Sequence, residues 1–142
     1  MIQTNRHYLY LPLTLHKAYA KLYECRQGKA ETCNNYLSRF LKNLRLITNL
    51  GGHFGEDMIL VHFEMELAGI TVDIKRHKPG NDIYDKYVRK SAERYKTTVF
   101  IFNADEERFR QLQVELRDSY YSFESEKYAT IYKAFQHANQ QH

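Results

Sequence analysis

The sequence predicts an α+β domain, a small mixed sheet with helices packed against it. Two early segments repeat their apolar residues at helical spacing. Between residues 58 and 77 the period changes to alternation about Ala68-Gly69. The run Thr97-Thr98-Val99-Phe100-Ile101-Phe102 is β-branched and aromatic on both faces, as a buried central strand would be.

The elements follow in order. His7-Tyr8-Leu9-Tyr10-Leu11 is a short apolar run that suits a first strand. Pro12 suits the first turn of a helix, where its missing N–H has no intrahelical partner to lose. Leu15, Ala18, Tyr19, Leu22 and Cys25 line that helix, and Gly28 stops it. Cys33, Tyr36, Leu37, Phe40, Leu41, Leu44 and Ile47 form the stripe of a second helix, closed by Gly51-Gly52. A β-hairpin is expected over residues 58–67 and 70–77, with Val61, Phe63, Met65 and Leu67 facing the core.

Lys78-Pro79-Gly80-Asn81-Asp82 is a loop whose Asn81 or Asp82 caps the next helix. In that helix Ile83, Tyr87, Val88, Ser91 and Tyr95 share a face. A buried strand is then expected over 97–102. Asn103, with Glu106 at the capping-box position, opens a helix lined by Phe109, Leu112 and Leu116. Tyr128, Ile131, Tyr132 and Phe135 mark a last helix over 123–139.

The 142 residues fit one domain, 1–142, with a helical pair over 13–50 and a sheet-containing core over 56–118. With 43% hydrophobic and 27% charged residues the chain can build a core and is not expected to be a disordered chain. Only Cys25 and Cys33 are present, so no disulfide framework is expected. No run approaches the roughly 20 apolar residues of a membrane span, and no secretory signal opens the chain. The expected compartment is cytoplasmic, or the interior of a host cell if a mobile element encodes the chain. The oligomeric state is open.

The net charge of +4 is unevenly placed. Residues 1–55 carry +6, residues 56–75 carry −4, residues 76–96 carry +4, and the remainder carries −2. An acidic segment between two basic ones suits a metal ion held against a polyanion such as nucleic acid. If Ala68-Gly69 is a two-residue turn, Glu64 lies across from Asp73 and His62 across from Lys75. Like charges directly opposed destabilise a sheet unless something offsets them. Lys75 or a divalent cation would do so, and oxygen ligands suit magnesium or manganese.

Val72-Asp73-Ile74-Lys75 resembles the acid-x-Lys half of the PD-(D/E)xK nuclease-like superfamily. The helix, strand, strand, helix, strand order expected over residues 30–102 is similar to that family's core. The resemblance implies that the first acid, Glu64 by cross-strand register or Asp57 by the position of the family's Pro-Asp, binds a divalent metal together with Asp73, with Asp57 or Glu66 assisting, and that Lys75 positions or activates the attacking water. The expected activity is metal-dependent phosphodiester cleavage with Glu64, Asp73 and Lys75 as catalytic residues. The chain departs from the pattern at Glu56-Asp57, where the family has Pro-Asp, and at Asp73, where Glu is commoner.

The densest basic region follows: Arg76, Lys78, Lys86, Arg89, Lys90 and Arg94, with Tyr84, Tyr87 and Tyr95 interleaved. Phosphate contact with base stacking would use this combination. Arg39, Lys42 and Arg45 lie on the polar side of the second helix, as in a DNA-reading helix pair. The alternatives to a nuclease are therefore a non-catalytic nucleic-acid-binding or regulatory module and a small protein-interaction or inhibitor protein of a mobile element. No organic cofactor motif is present. The seven His show neither His-x-x-x-His spacing nor Cys/His pairing for zinc.

Overall fold

The computed structural model describes residues 10–118 and 130–140, and every regular element among them is a helix. They are α1 Leu11–Tyr23, α2 Cys33–Asn49, α3 Met58–Leu67, α4 Asp82–Phe102, α5 Glu106–Asp118 and α6 Ile131–Gln140. The expected α+β class is therefore corrected: among the described residues there is no strand. Of the expected first strand, residues 7–9 lie outside the described residues and Leu11 begins α1. Of the expected last helix, residues 123–129 lie outside them.

The hairpin is replaced by α3 and an irregular segment over 70–77. Met58-Ile59-Leu60-Val61 and Phe63-Glu64-Met65-Glu66-Leu67 are apolar almost all round, so alternation and helical spacing coexist in the same letters. The buried residues Val61, Glu64 and Met65 sit at i, i+3 and i+4. Ala68-Gly69 is a helix terminus, not a hairpin turn. Gly69 adopts φ +84°, its N–H donates to the Glu66 carbonyl (3.0 Å), and Ile70 N–H donates to the Met65 carbonyl (3.0 Å). This pair of bonds is a Schellman cap, which satisfies carbonyls the helix leaves open.

The expected strand 97–102 is the last turn and a half of α4. Thr97 and Thr98 turn their hydroxyls back onto the carbonyls of Glu93 (2.7 Å) and Arg94 (2.9 Å), so both polar groups are satisfied inside a helix. No Gly or Pro interrupts residues 82–102. The run is apolar on both faces because this end of α4 is buried on several sides. Asn103 closes α4 and does not open α5.

Caps position the other ends. Thr32 Oγ1 accepts from Asn35 N–H (3.1 Å) at the start of α2, and Asn81 Oδ1 accepts from Tyr84 N–H (3.0 Å) at the start of α4.

Two apolar clusters share α4. The larger joins α1, α2, the C-terminal half of α4, α5 and α6 around Leu22, Tyr36, Phe40, Ile47, Phe100, Phe109 and Leu112. Tyr36 stacks on Phe100 with centroids 4.8 Å apart, and Phe40 and Phe109 meet Phe100 edge-on. The smaller joins α3, residues 70–72 and the N-terminal half of α4 around Val61, Met65 and Tyr84. The buried face of α4 rotates between them, from Tyr84 and Ser91 to Thr97, Phe100 and Ile101.

Candidate nucleic-acid interface and the expected metal site

The residues expected to hold a metal do not assemble. Glu64 is 2% exposed on α3, and its Oε2 accepts from Arg94 Nε of α4 at 2.5 Å. Asp73 lies in the irregular segment, exposed. Its Oδ1 accepts from Lys75 N–H (3.1 Å) and its own N–H donates to His77 Nδ1 (2.9 Å). Lys75 is exposed in the turn that follows. Asp57 occupies the N-cap position of α3 without a side-chain capping bond, and Glu66 is exposed near the other end of that helix. Among the described residues no three His, Cys, Asp or Glu side chains group as a metal site. The four expected carboxylates therefore do not come together as the ligand set that the resemblance implies. The cross-strand register that opposed Glu64 and Asp73 is absent because Glu64 is helical.

The basic residues divide into two kinds. Arg39 and Arg94 are structural. Arg39 holds Glu31 by two bonds of 2.7 Å and donates to the Arg26 carbonyl (2.7 Å), tying down the α1–α2 connection. Its guanidinium, by hydrogen bonding, holds the Glu31 carboxyl below the usual carboxylate range. Arg94 is spent on Glu64. Arg108, which the sequence does not single out, caps the carbonyls of Gly28 (2.9 Å) and Lys29 (3.2 Å).

Arg76, Lys78, Lys86, Arg89 and Lys90 are exposed, as are Lys42 and Arg45 on α2. Lys86, Arg89 and Lys90 occupy the outer face of α4, at i, i+3 and i+4. None of these three pairs with a carboxylate among the described residues, and Lys86 Nζ stands 5.8 Å from the Tyr87 ring centroid. The segment carrying Arg76 and Lys78 is held at the head of α4. Asn81 N–H donates to the Lys78 carbonyl (3.0 Å), and Gly80 N–H donates to Asp85 Oδ1 (3.1 Å). His77, buried between Arg76 and Lys78, presents its carbonyl to His62 Nε2 at 2.8 Å. Asp82 and Asp85 sit in the first turn, where the helix dipole favours acids.

The interleaved tyrosines are not stacking platforms of one kind. Tyr84 is buried, and desolvation raises its hydroxyl above the ordinary value. Tyr95 bonds Tyr23 hydroxyl to hydroxyl at 2.9 Å. Burial, and then that bond, push the Tyr23 hydroxyl upward. Tyr87 is half-buried, with the Lys86 ammonium over its ring, and so is the one of the three that borders the basic face.

Sequence reasoning missed a cavity of ≈ 190 Å³ between α3 and α4, lined in part by Ser91, Arg94, Tyr95 and Thr98. Their spacing of three, four and seven residues was the available signal, since it marks one helix face. No helix among the described residues is long and apolar enough to cross a membrane. No family model, curated protein or solved structure matches this chain.

Proposed function

We propose that this chain is a non-catalytic helical module that binds nucleic acid. The outer face of α4 and the segment at its head would lie on the phosphate backbone. The observation that carries the reading is the set Arg76, Lys78, Lys86, Arg89 and Lys90, five exposed cations on one anchored loop and one helix. The loop backbone is hydrogen-bonded to the helix start, so little of that backbone has to be ordered on binding. Cations so arranged neutralise phosphates and release condensed counterions, an attraction independent of base sequence. The carboxylates expected of a metal-dependent nuclease do not group among the described residues, which favours binding over cleavage.

Fluorescence anisotropy with labelled single- and double-stranded DNA and RNA tests the reading. Log affinity should fall linearly with log salt, with a slope of about −3 to −4 if most of the five cations contact phosphate. Lys86→Ala/Arg89→Ala/Lys90→Ala should flatten that slope by about 2–3. Absence of binding at low salt, or an affinity indifferent to salt, contradicts the proposal.

A second reading, protein interaction, is favoured by one observation. Ile59 and Ile74 are 77% and 73% exposed on either side of a shallow cleft between α3 and the 70–77 segment. Ile59→Ser/Ile74→Ser would leave nucleic-acid affinity unchanged and abolish capture of a protein partner if this reading holds.

A further inference from the structure

Neither α1 nor α2 carries an Asp or a Glu. Lys17 and Lys21 stand at i and i+4 on α1, Lys42 and Arg45 at i and i+3 on α2, and all four are exposed. None of them pairs with a carboxylate among the described residues. Like charges at these spacings destabilise a helix, and no acid on either helix offsets them. The outer face of α4 differs. There Asp82 precedes Lys86 by four residues, and Asp85 precedes Arg89 by four.

An apolar groove of ≈ 290 Å³ runs between the two helices, beside these cations. Ala18 of α1 and Leu46 and Leu50 of α2 line it, and the small side chain of Ala18 leaves the space open. The lining surface is apolar throughout. Lys17 and Lys21 therefore give it their aliphatic stems and hold their ammonium groups outside. Leu46 is 37% exposed, whereas the other apolar residues of α2 are buried or half-buried. Lys42 lies one turn before Leu46, and Arg45 one turn before Asn49 at the groove's end, so both border the same face. The volume is about twice the ~150 Å³ that holds a benzene ring, enough for two aliphatic side chains.

The occupant has to answer both the charge and the apolar floor. A phosphate backbone would meet the cations and leave the groove uncovered. A helix lying on a membrane presents bulky apolar side chains outward, but here the apolar atoms are recessed between two helices. A second copy docked through the same face would bring cation against cation. An amphipathic helix with acidic flanks answers both: apolar residues at i and i+4 enter the groove, and carboxylates beside them meet the four cations.

We propose that the α1–α2 groove docks an acidic amphipathic helix of a partner protein. Docking there uses none of the cations assigned to phosphate on α4, so each reading can fail without the other.

The probe is a stapled, fluorescein-labelled peptide helix with Leu at i, i+4 and i+7 and Glu on both sides of that stripe. Anisotropy with the full chain gives its affinity, and NMR spectra report the Leu46 and Leu50 methyls. The peptide should bind and shift both methyls. Its Leu→Ser version should bind at least about tenfold more weakly, as the loss of buried leucines requires, and its Glu→Lys version should not bind. Lys17→Glu/Lys21→Glu should weaken the acidic peptide at least about tenfold, and Lys86→Glu/Lys90→Glu should leave it unchanged. Phosphatidylglycerol vesicles and a DNA oligonucleotide should leave the two methyls unmoved. Should the α1 variant lose its helical spectrum, the peptide series and the wild-type methyls carry the test. No binding at millimolar peptide, equal binding of the Leu→Ser version, unmoved methyls, or equal losses for the α1 and α4 variants would overturn the proposal. So would vesicles or DNA that move the methyls, since the groove would then belong to that surface.

Discussion

Arg94 of α4 and Glu64 of α3 form an ion pair buried from solvent, Nε to Oε2 at 2.5 Å, with the Glu64 side chain 1% exposed. The pair pins α3 to α4. Removing one partner leaves an uncompensated buried charge, which costs about 3–5 kcal/mol, whereas replacing both by apolar groups of similar volume is often neutral. Arg94→Met alone should therefore destabilise by about 3 kcal/mol or more, and Glu64→Leu/Arg94→Met should recover most of it. Urea denaturation of the two single variants and the double variant measures this. Additive losses would mean the pair has no coupling.

Tyr36 and Phe100 are joined twice, by ring stacking and by the Tyr36 hydroxyl, which donates to the Phe100 carbonyl at 2.7 Å. Burial raises the Tyr36 hydroxyl well above its ordinary titration range, so it stays a donor at any ordinary pH. Tyr36→Phe removes only the hydroxyl and should cost about 1–2 kcal/mol. Tyr36→Ala also empties the ring's space and should cost about 3–5 kcal/mol. Equal losses for the two variants, read from thermal or urea unfolding, would show that stacking contributes nothing beyond the hydrogen bond.

Glu31 and Arg39 give an acid-side pH dependence. The folded-state pKa of Glu31 lies below its ordinary 4.5, chiefly through hydrogen bonding to Arg39. A carboxyl so lowered contributes stability that is complete above its unfolded value and is lost as pH falls through the folded one. Arg39 is about half exposed, so solvent screening limits the pair to about 1 kcal/mol. The stability gap between wild type and Glu31→Gln should be full near pH 7 and close as pH falls below about 4.5. A gap that is constant across that window would remove the assigned cause.

Much of the helical layout was legible because local chemistry is unambiguous there. Asn81 caps α4 as a small polar residue does, and Gly51-Gly52 stop α2. The outer face of α4 could be read from the spacing of Lys86, Arg89 and Lys90. The expectation of a sheet failed for three local reasons. Val61 and Met65 satisfy period two and helical spacing alike. Ala-Gly closes a helix as well as it turns a hairpin. Thr97 and Thr98 favour strands until their hydroxyls find carbonyls one turn back. The site failed with the sheet. Once α3 is a helix, Glu64 turns inward to Arg94, and no pattern in the sequence announces that long-range pair.

Gly55 lies where the α2–α3 connection crosses α4. It adopts φ +83°, a conformation side chains rarely take, and a Cβ there would lie 3.0 Å from the Ala92 Cα and 3.1 Å from its carbonyl oxygen. Its own carbonyl accepts from Ser91 Oγ, so the contact is bonded as well as close. Gly55→Ala meets backbone on α4, which cannot swing aside as a side chain tip would. It should cost about 2 kcal/mol or more, from left-handed strain and the enforced separation together. Ser91→Ala should cost about 1 kcal/mol, the loss of one buried hydrogen bond. A Gly55→Ala protein as stable as wild type would mean that the connection does not approach α4 this closely.

The two exposed basic faces make different predictions if nucleic acid binds along α4. Lys42 and Arg45 lie on α2, whose opposite side carries the stripe buried in the larger core. Charge reversal by Lys42→Glu/Arg45→Glu should leave the salt slope within about 1 of wild type, because distant charges are screened beyond a Debye length of about 10 Å. Lys86→Glu/Lys90→Glu should instead cost at least tenfold in affinity and reduce the slope by about 2. Both pairs are solvent-exposed, so melting temperatures should move little and the comparison reads binding alone. If the α2 pair proves the costly one, the phosphate track runs along the first two helices, and α4 is only a charged outer face.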